Sequence, residues 1–270
     1  MASKIALEEL GAFELLFLRF ALATIIFALL VAFRIIKVSY RGKPLGQLLV
    51  VCLFQPILYF TLETFGIKEC STSTAGLVIG GIPVAVALLA WLILNEKTSP
   101  MRMVSLLVSL SGVGFIALSI NGGENTLSGL LLLIGAMASA SLYNVFTRKS
   151  SQSFTPMETT LAMMLSGALV FGLFVFFQAP PEGSLSLWQR AAPVLPAIAY
   201  LGVLSSVVAF FLVNFNLSRL TASQASVFSN LSSAVSVAAG VFFRGEHFGL
   251  PQAIGATLIL LGVWGANRRG

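Results

Sequence analysis

Apolar runs of about twenty residues, the length a helix needs to cross a bilayer core, alternate along this chain with short polar stretches. Nine segments fit: 12–33, 45–67, 72–94, 102–120, 127–147, 157–177, 193–216, 222–243 and 249–266. The connections between them leave no room for a separate soluble domain. The pattern predicts an all-α integral membrane protein with nine transmembrane helices.

The pattern also repeats. Shifted by 150 positions, the stretch from Phe60 to Val113 falls without a gap onto Phe210 to Val263. Phe60, Leu62, Phe65, Ser73, Ala75, Glu96, Leu110, Gly112 and Val113 meet Phe210, Leu212, Phe215, Ser223, Ala225, Glu246, Leu260, Gly262 and Val263. The shift pairs spans two, three and four with spans seven, eight and nine. Five crossings separate each pair, an odd number, so the two copies are expected upside down relative to each other. Inverted repeats of this kind place a solute site near the bilayer midplane and permit alternating access around it. The expected domains are 1–122, a first repeat of four spans, and 123–270, a second of five.

Charge sets the expected orientation. Arg34, Lys37, Arg41, Lys43, Lys97, Arg102, Arg148, Lys149, Arg219, Arg268 and Arg269 fall at junctions on one side of nine alternating spans; Lys4, Lys68, Arg190 and Arg244 fall on the other. Eleven against four puts the first side in the cytoplasm by the positive-inside bias. The C-terminus is then cytoplasmic and the N-terminus outside, in the cytoplasmic membrane.

Composition narrows the function. Of 270 residues, 57% are hydrophobic and 10% charged, too little polar surface for a water-soluble globule of this length. The acidic residues are ten Glu and no Asp, and the single His is His247. These counts exclude a Ser-His-Asp triad, an HExxH zinc site and an EF-hand loop, and no GxxxxGK[ST] phosphate loop is present. An enzyme is therefore not expected, nor any cofactor or metal. The net charge of +6 belongs to the loops and gives no reason to expect nucleic acid. Cys52 lies within an apolar run and Cys70 at a span end, which suits two separate thiols.

The run NLSSAVSVAAGVFFRGEHFGLPQAIGATLILLGVW from Asn230 to Trp264, its first-repeat counterpart TSTAGLVIGGIPVAVALLAWLILNEKTSPMRMVSLLVSLSGVG, and ELLFLRFALA around Arg19 resemble the EamA-type permeases of the drug/metabolite transporter superfamily. The resemblance covers nearly the whole chain. It implies ten helices in two inverted five-helix repeats around a central cavity, with a solute or metabolite as cargo. The family's opening helix has no counterpart before span one, since 1–10 is too short and too charged to cross. If that leaves an open groove, a second chain is expected to fill it as a homodimer. The family pattern also carries a Pro within the equivalent helix of both repeats: Pro83 fits the first copy, whereas Ser232 and Ser233 occupy that region of the second.

Polar residues inside the spans are the candidate site, since each is costly in hydrocarbon without a partner. Arg19, about seven residues into span one, is expected to pair with Glu63 near the outer end of span two. Such a pair gates the outer mouth, binds a substrate carboxylate, or simply ties two helices. Ser229, Asn230 and Ser233 form a polar cluster near the bilayer centre of span eight, with Asn230 opposite Gly80 and Ser233 opposite Pro83 under the shift. Cargo binding and helix gluing both use such groups. Gln55 and Ser205 coincide under the shift near the middle of their helices, and Tyr59 lies one turn from Gln55 on the same face. Span five adds Ser139 and Tyr143. Trp91, Trp188 and Trp264 suit an aromatic belt at span ends, and Glu14 and Glu158 suit helix N-termini.

The function expected from these features is a permease or exporter that moves a small solute, such as an amino acid or related metabolite, through the bilayer. No titratable group lies near the midplane, which favours facilitated diffusion or exchange over proton antiport. The competing reading is a structural subunit that does not transport, or an incomplete transporter fragment that needs a partner helix.

Overall fold

The computed structural model describes residues 2–94, 101, 104–105, 107–109, 111–112, 115, 125–178, 186–226, 235, 239–243 and 249–267. Among these, every regular element is a helix. They are α1 (Ala2–Ala6), α2 (Ala12–Ala32), α3 (Leu45–Lys68), α4 (Thr72–Leu94), α5 (Leu127–Ser150), α6 (Pro156–Phe177), α7 (Leu187–Arg219), α8 (Ala222–Ser226) and α9 (Leu250–Asn267). Six of them, α2 to α7, are long and apolar enough to cross a membrane. They match six expected spans; α7 starts earlier than expected, at Leu187, where Ser186 caps the helix by accepting from the Gln189 N–H. The expected spans 102–120 and 222–243 fall only partly on described residues. Trp91, Trp188 and Trp264 are exposed, as a belt facing lipid headgroups requires.

Contacts divide the chain into two compact units, each drawing on both sequence halves: one holds 2–61 and 150–219, the other 62–149 and 220–270. In the first, α2 packs along α6 and against α7. Lipid tails are as apolar as leucine, so close van der Waals fit, not exclusion from water, holds such helices together. Phe13 stacks on Phe174 with ring centroids 4.7 Å apart, and Phe20 on Phe171 at 5.8 Å. Gly167 makes room for this seam: a Cβ there would lie 2.8 Å from Cγ of Phe20 and 3.0 Å from Cγ of Pro56. Buried Asn214 of α7 donates to Oγ1 of Thr160 on α6 at 2.9 Å. At the far end Arg190 donates to both carboxylate oxygens of Glu14, which also accepts the Gly11 N–H at 2.8 Å and so caps α2.

The loop from 33 to 44 is pinned by one carboxylate. Glu158, in the first turn of α6, closes a capping box with Thr155 and is buried. It accepts from Nζ of Lys43 and, at 2.9 Å, from the Ser39 N–H, while its backbone carbonyl accepts the Tyr40 hydroxyl at 2.9 Å. Burial first, then the Glu158 charge, pushes the Tyr40 phenol up to about 12.

In the second unit α4 is interrupted by Gly80 and Gly81, between Ile79 and Ile82, just before Pro83. Ser71 caps its start by accepting the Thr74 N–H at 3.1 Å. The Glu69 carboxylate, held below its usual range by the Ser128 and Thr126 hydroxyls, secures the head of α5. Ser105, Ser109 and Gly112 lie against α9. A Cβ on Gly112 would stand 2.6 Å from the Gly255 carbonyl oxygen, and one on Gly262 2.5 Å from that of Ser105. Rising number on one side meets falling number on the other, so the two segments run antiparallel on a seam of small residues. Cys52 and Cys70 are buried thiols that form no disulfide.

Candidate functional site

Two transmembrane helices of the first unit depart from α geometry at related places, α3 by a break and α7 by a π segment. Inside α3 the α-ladder gives way over Leu53–Leu58, where Gln55 adopts extended φ −150° and ψ 118°. Pro56 explains this locally, because it has no N–H and its ring collides with the carbonyl one turn back. Inside α7 the segment Tyr200–Val208 is wound as π-helix. Adding 150 to 53–58 gives 203–208, within that segment. Interruptions at corresponding positions of two repeats are where transporters place their sites, and π turns occur often at functional positions.

Arg19 of α2 touches the π segment of α7 and packs beside the α3 break. Its Nε donates to Oγ of Ser206 at 2.7 Å and its Nη2 to Oγ of Ser205 at 2.8 Å. Its guanidinium lies 4.3 Å from the ring centroid of Phe60, just past the α3 break, and 5.5 Å from that of Phe20. Arg19 is 4% exposed and Ser206 0%. The hydroxyls orient the guanidinium, and the ring faces attract a cation. A planar, fixed, forked cation of this kind suits a carboxylate better than a lysine would.

Around it stands an aromatic cluster. Phe60 packs edge-on against Phe20 at 5.2 Å, Tyr59 at 4.8 Å and Phe210 at 5.8 Å. Phe60 and Phe210 coincide under the 150-residue shift, so two repeat-related positions touch each other here. Gln55 is 5% exposed, and among the described residues its side chain has no hydrogen bond.

The structure therefore gathers Arg19, Gln55, Tyr59 and Ser205 into one unit, with Arg19 and Ser205 in direct contact. Pro83, Ser139 and Tyr143 are buried in the other unit, and Glu63 is half-buried there. The expected partners Arg19 and Glu63 thus belong to different units, and their pairing stays a proposal. Ser229, Asn230 and Ser233 lie outside the described residues. Three site residues were not foreseen from sequence: Ser206, Phe60 and Phe20. Phe60 and Phe210 open the internal match, which was a usable signal; Ser206 stands 187 positions from Arg19 and gives none.

Comparison with known proteins bears on the family of the chain. The EamA-like transporter family matches residues 1–118 and again 127–268. The chain is 32% identical over 269 residues to the uncharacterized transporter YcxC of Bacillus subtilis, covering 98% of this chain and 86% of that protein. It is 25% identical to an uncharacterized transporter of Archaeoglobus fulgidus over 97% of this chain and 91% of that protein. One solved crystal structure, 19% identical, superimposes with a TM-score of 0.70 over 98% of this chain and 91% of its own, a likeness of fold. With spans, broken helices and these matches together, the chain belongs to the EamA-like transporter family.

Proposed function

We propose that this membrane protein carries a small solute, such as an amino acid or related metabolite, across the cytoplasmic membrane by alternating access. One observation supports the reading above others: a buried arginine, oriented by Ser205 and Ser206 of the α7 π segment, packs on Phe60 two residues past the repeat-related break in α3. Within the first unit Arg19 holds the carboxylate of the solute, and Gln55, Tyr59, Ser205 and the Phe60 cluster flank it. Ser229, Asn230, Ser233, Pro83, Ser139, Tyr143 and Glu63 are the further residues proposed to meet the solute during transport. Transport is facilitated diffusion or exchange.

The test is counterflow in proteoliposomes with pooled amino acids and related metabolites. The native chain should take up one solute class, and Arg19→Gln and Asn230→Leu should each lose that uptake while still reconstituting. Uptake unaffected by Arg19→Gln overturns the assigned site. Silence of the native chain across the pool overturns the solute class and moves weight to a structural subunit.

A further inference from the structure

We infer that a pocket where three span ends meet binds the phosphate of an anionic lipid headgroup. The pocket encloses about 340 Å³ and is lined chiefly by Ser151, Ser153 and Phe154 of the turn after α5, Thr155 at the head of α6, and Ser218 and Arg219 at the end of α7. The end of α5, the start of α6 and the end of α7 share one end of alternating spans, so the pocket sits at headgroup depth and not in hydrocarbon. This inference concerns the membrane around the protein and is independent of what the protein carries.

The chemistry is that of phosphate recognition. Ser153 and Thr155 present hydroxyl groups to the pocket, Ser218 donates to the Phe215 carbonyl at its rim, and Arg219 supplies a cation. Arg219 is exposed, and among the described residues it has no carboxylate partner; its guanidinium lies 5.6 Å from the Phe215 ring centroid. The start of α6 does not itself provide the attraction, because Thr155 and Glu158 already cap it and Lys43 already answers the Glu158 charge.

A lipid fits better than free phosphate because of what lies beneath the arginine. Val208, Leu212 and Phe215 precede Arg219 at spacings of four, three and four, which places all of them on one helix face. Each of those apolar side chains is exposed. A headgroup on Arg219 therefore has an apolar track for its acyl chain directly below. The expected cytoplasmic side, to which Arg219 belongs, is where anionic lipids meet basic residues at membrane proteins.

The experiment is native mass spectrometry of the purified protein in neutral detergent with phosphatidylglycerol, phosphatidylcholine or inorganic phosphate. Phosphatidylglycerol should be retained about fivefold or more over phosphatidylcholine, and millimolar inorganic phosphate should not displace it. Arg219→Gln should bring retention down to the phosphatidylcholine level, with Arg219→Lys intermediate. Ser153→Ala, which leaves every charge in place, should also lower it and covers the case in which Arg219→Gln fails to fold. Equal retention by native protein and Arg219→Gln overturns the proposal. Full displacement by inorganic phosphate overturns the lipid assignment in favour of a free-phosphate site.

Discussion

Arg19 donates to Ser206 at 2.7 Å across 187 residues of sequence, tying the middle of one transmembrane helix to the π segment of another. Hydrogen bonds to a charged group contribute about 1.5–3 kcal/mol each, and the hydroxyls are the oriented acceptors of this guanidinium. Ser205→Ala with Ser206→Ala should therefore lower thermal stability in detergent. In an Arg19→Leu background the same pair of changes should cost little, because the charge they serve is gone. Equal losses in both backgrounds would contradict the contact as described.

Gly167 should tolerate no side chain while Phe20 stays in place. A Cβ would lie 2.8 Å from the Phe20 ring and 3.0 Å from Pro56, and neither can swing aside. Overpacking of this sort costs about 1–3 kcal/mol. Gly167→Val should lower the melting temperature measurably, and Phe20→Leu should restore part of the loss.

The Glu158 clasp predicts a change in proteolysis. Its side chain is 4% exposed, whereas Lys43 is 26% exposed and can turn to water when its partner goes. Glu158→Gln weakens the hydrogen bonds that hold Lys43 and the Ser39 N–H, about 1.5–3 kcal/mol in all. Trypsin should then cut faster at Lys37 and Arg41 than in native protein. Lys43→Met should have the smaller effect, since the two backbone donors to Glu158 persist.

Tyr40 sets an alkaline limit. Its folded phenol is raised from 10.0 to about 12, so above pH 10 the unfolded chain ionises this group while the folded chain does not. The stability contribution is complete below pH 10 and is lost as pH rises toward 12. Tyr40→Phe should remove one late-appearing tyrosinate from the ultraviolet titration. A Tyr40 that titrates with an exposed tyrosine would contradict the buried, Glu158-facing position.

How much of this was legible in the sequence depended on range. Six spans were readable because a run such as Ala12–Ala32 carries its burial in its own composition, and Pro56 marked the α3 break in a way a reader could have used. The π segment at Tyr200–Val208 contains no proline, so nothing local announced it. Glu14 and Glu158 were readable as helix starts, yet their distant partners Arg190 and Lys43 were not. Ser205 was singled out through its match to Gln55 and turned out to be a ligand of Arg19. The side chain expected on Arg19 was Glu63, since a carboxylate is the usual answer to a buried guanidinium; two hydroxyls and two aromatic faces are the contacts described around it.

Alternating access at the Arg19 site is the central claim, and a thiol probe tests it most directly. With Cys52 and Cys70 replaced by Ala, Ser205→Cys would be labelled in proteoliposomes by an impermeant thiol reagent added from each side in turn. The account predicts labelling from both sides, slowed by the transported solute. Labelling from neither side, or from one side only under every condition, would contradict it.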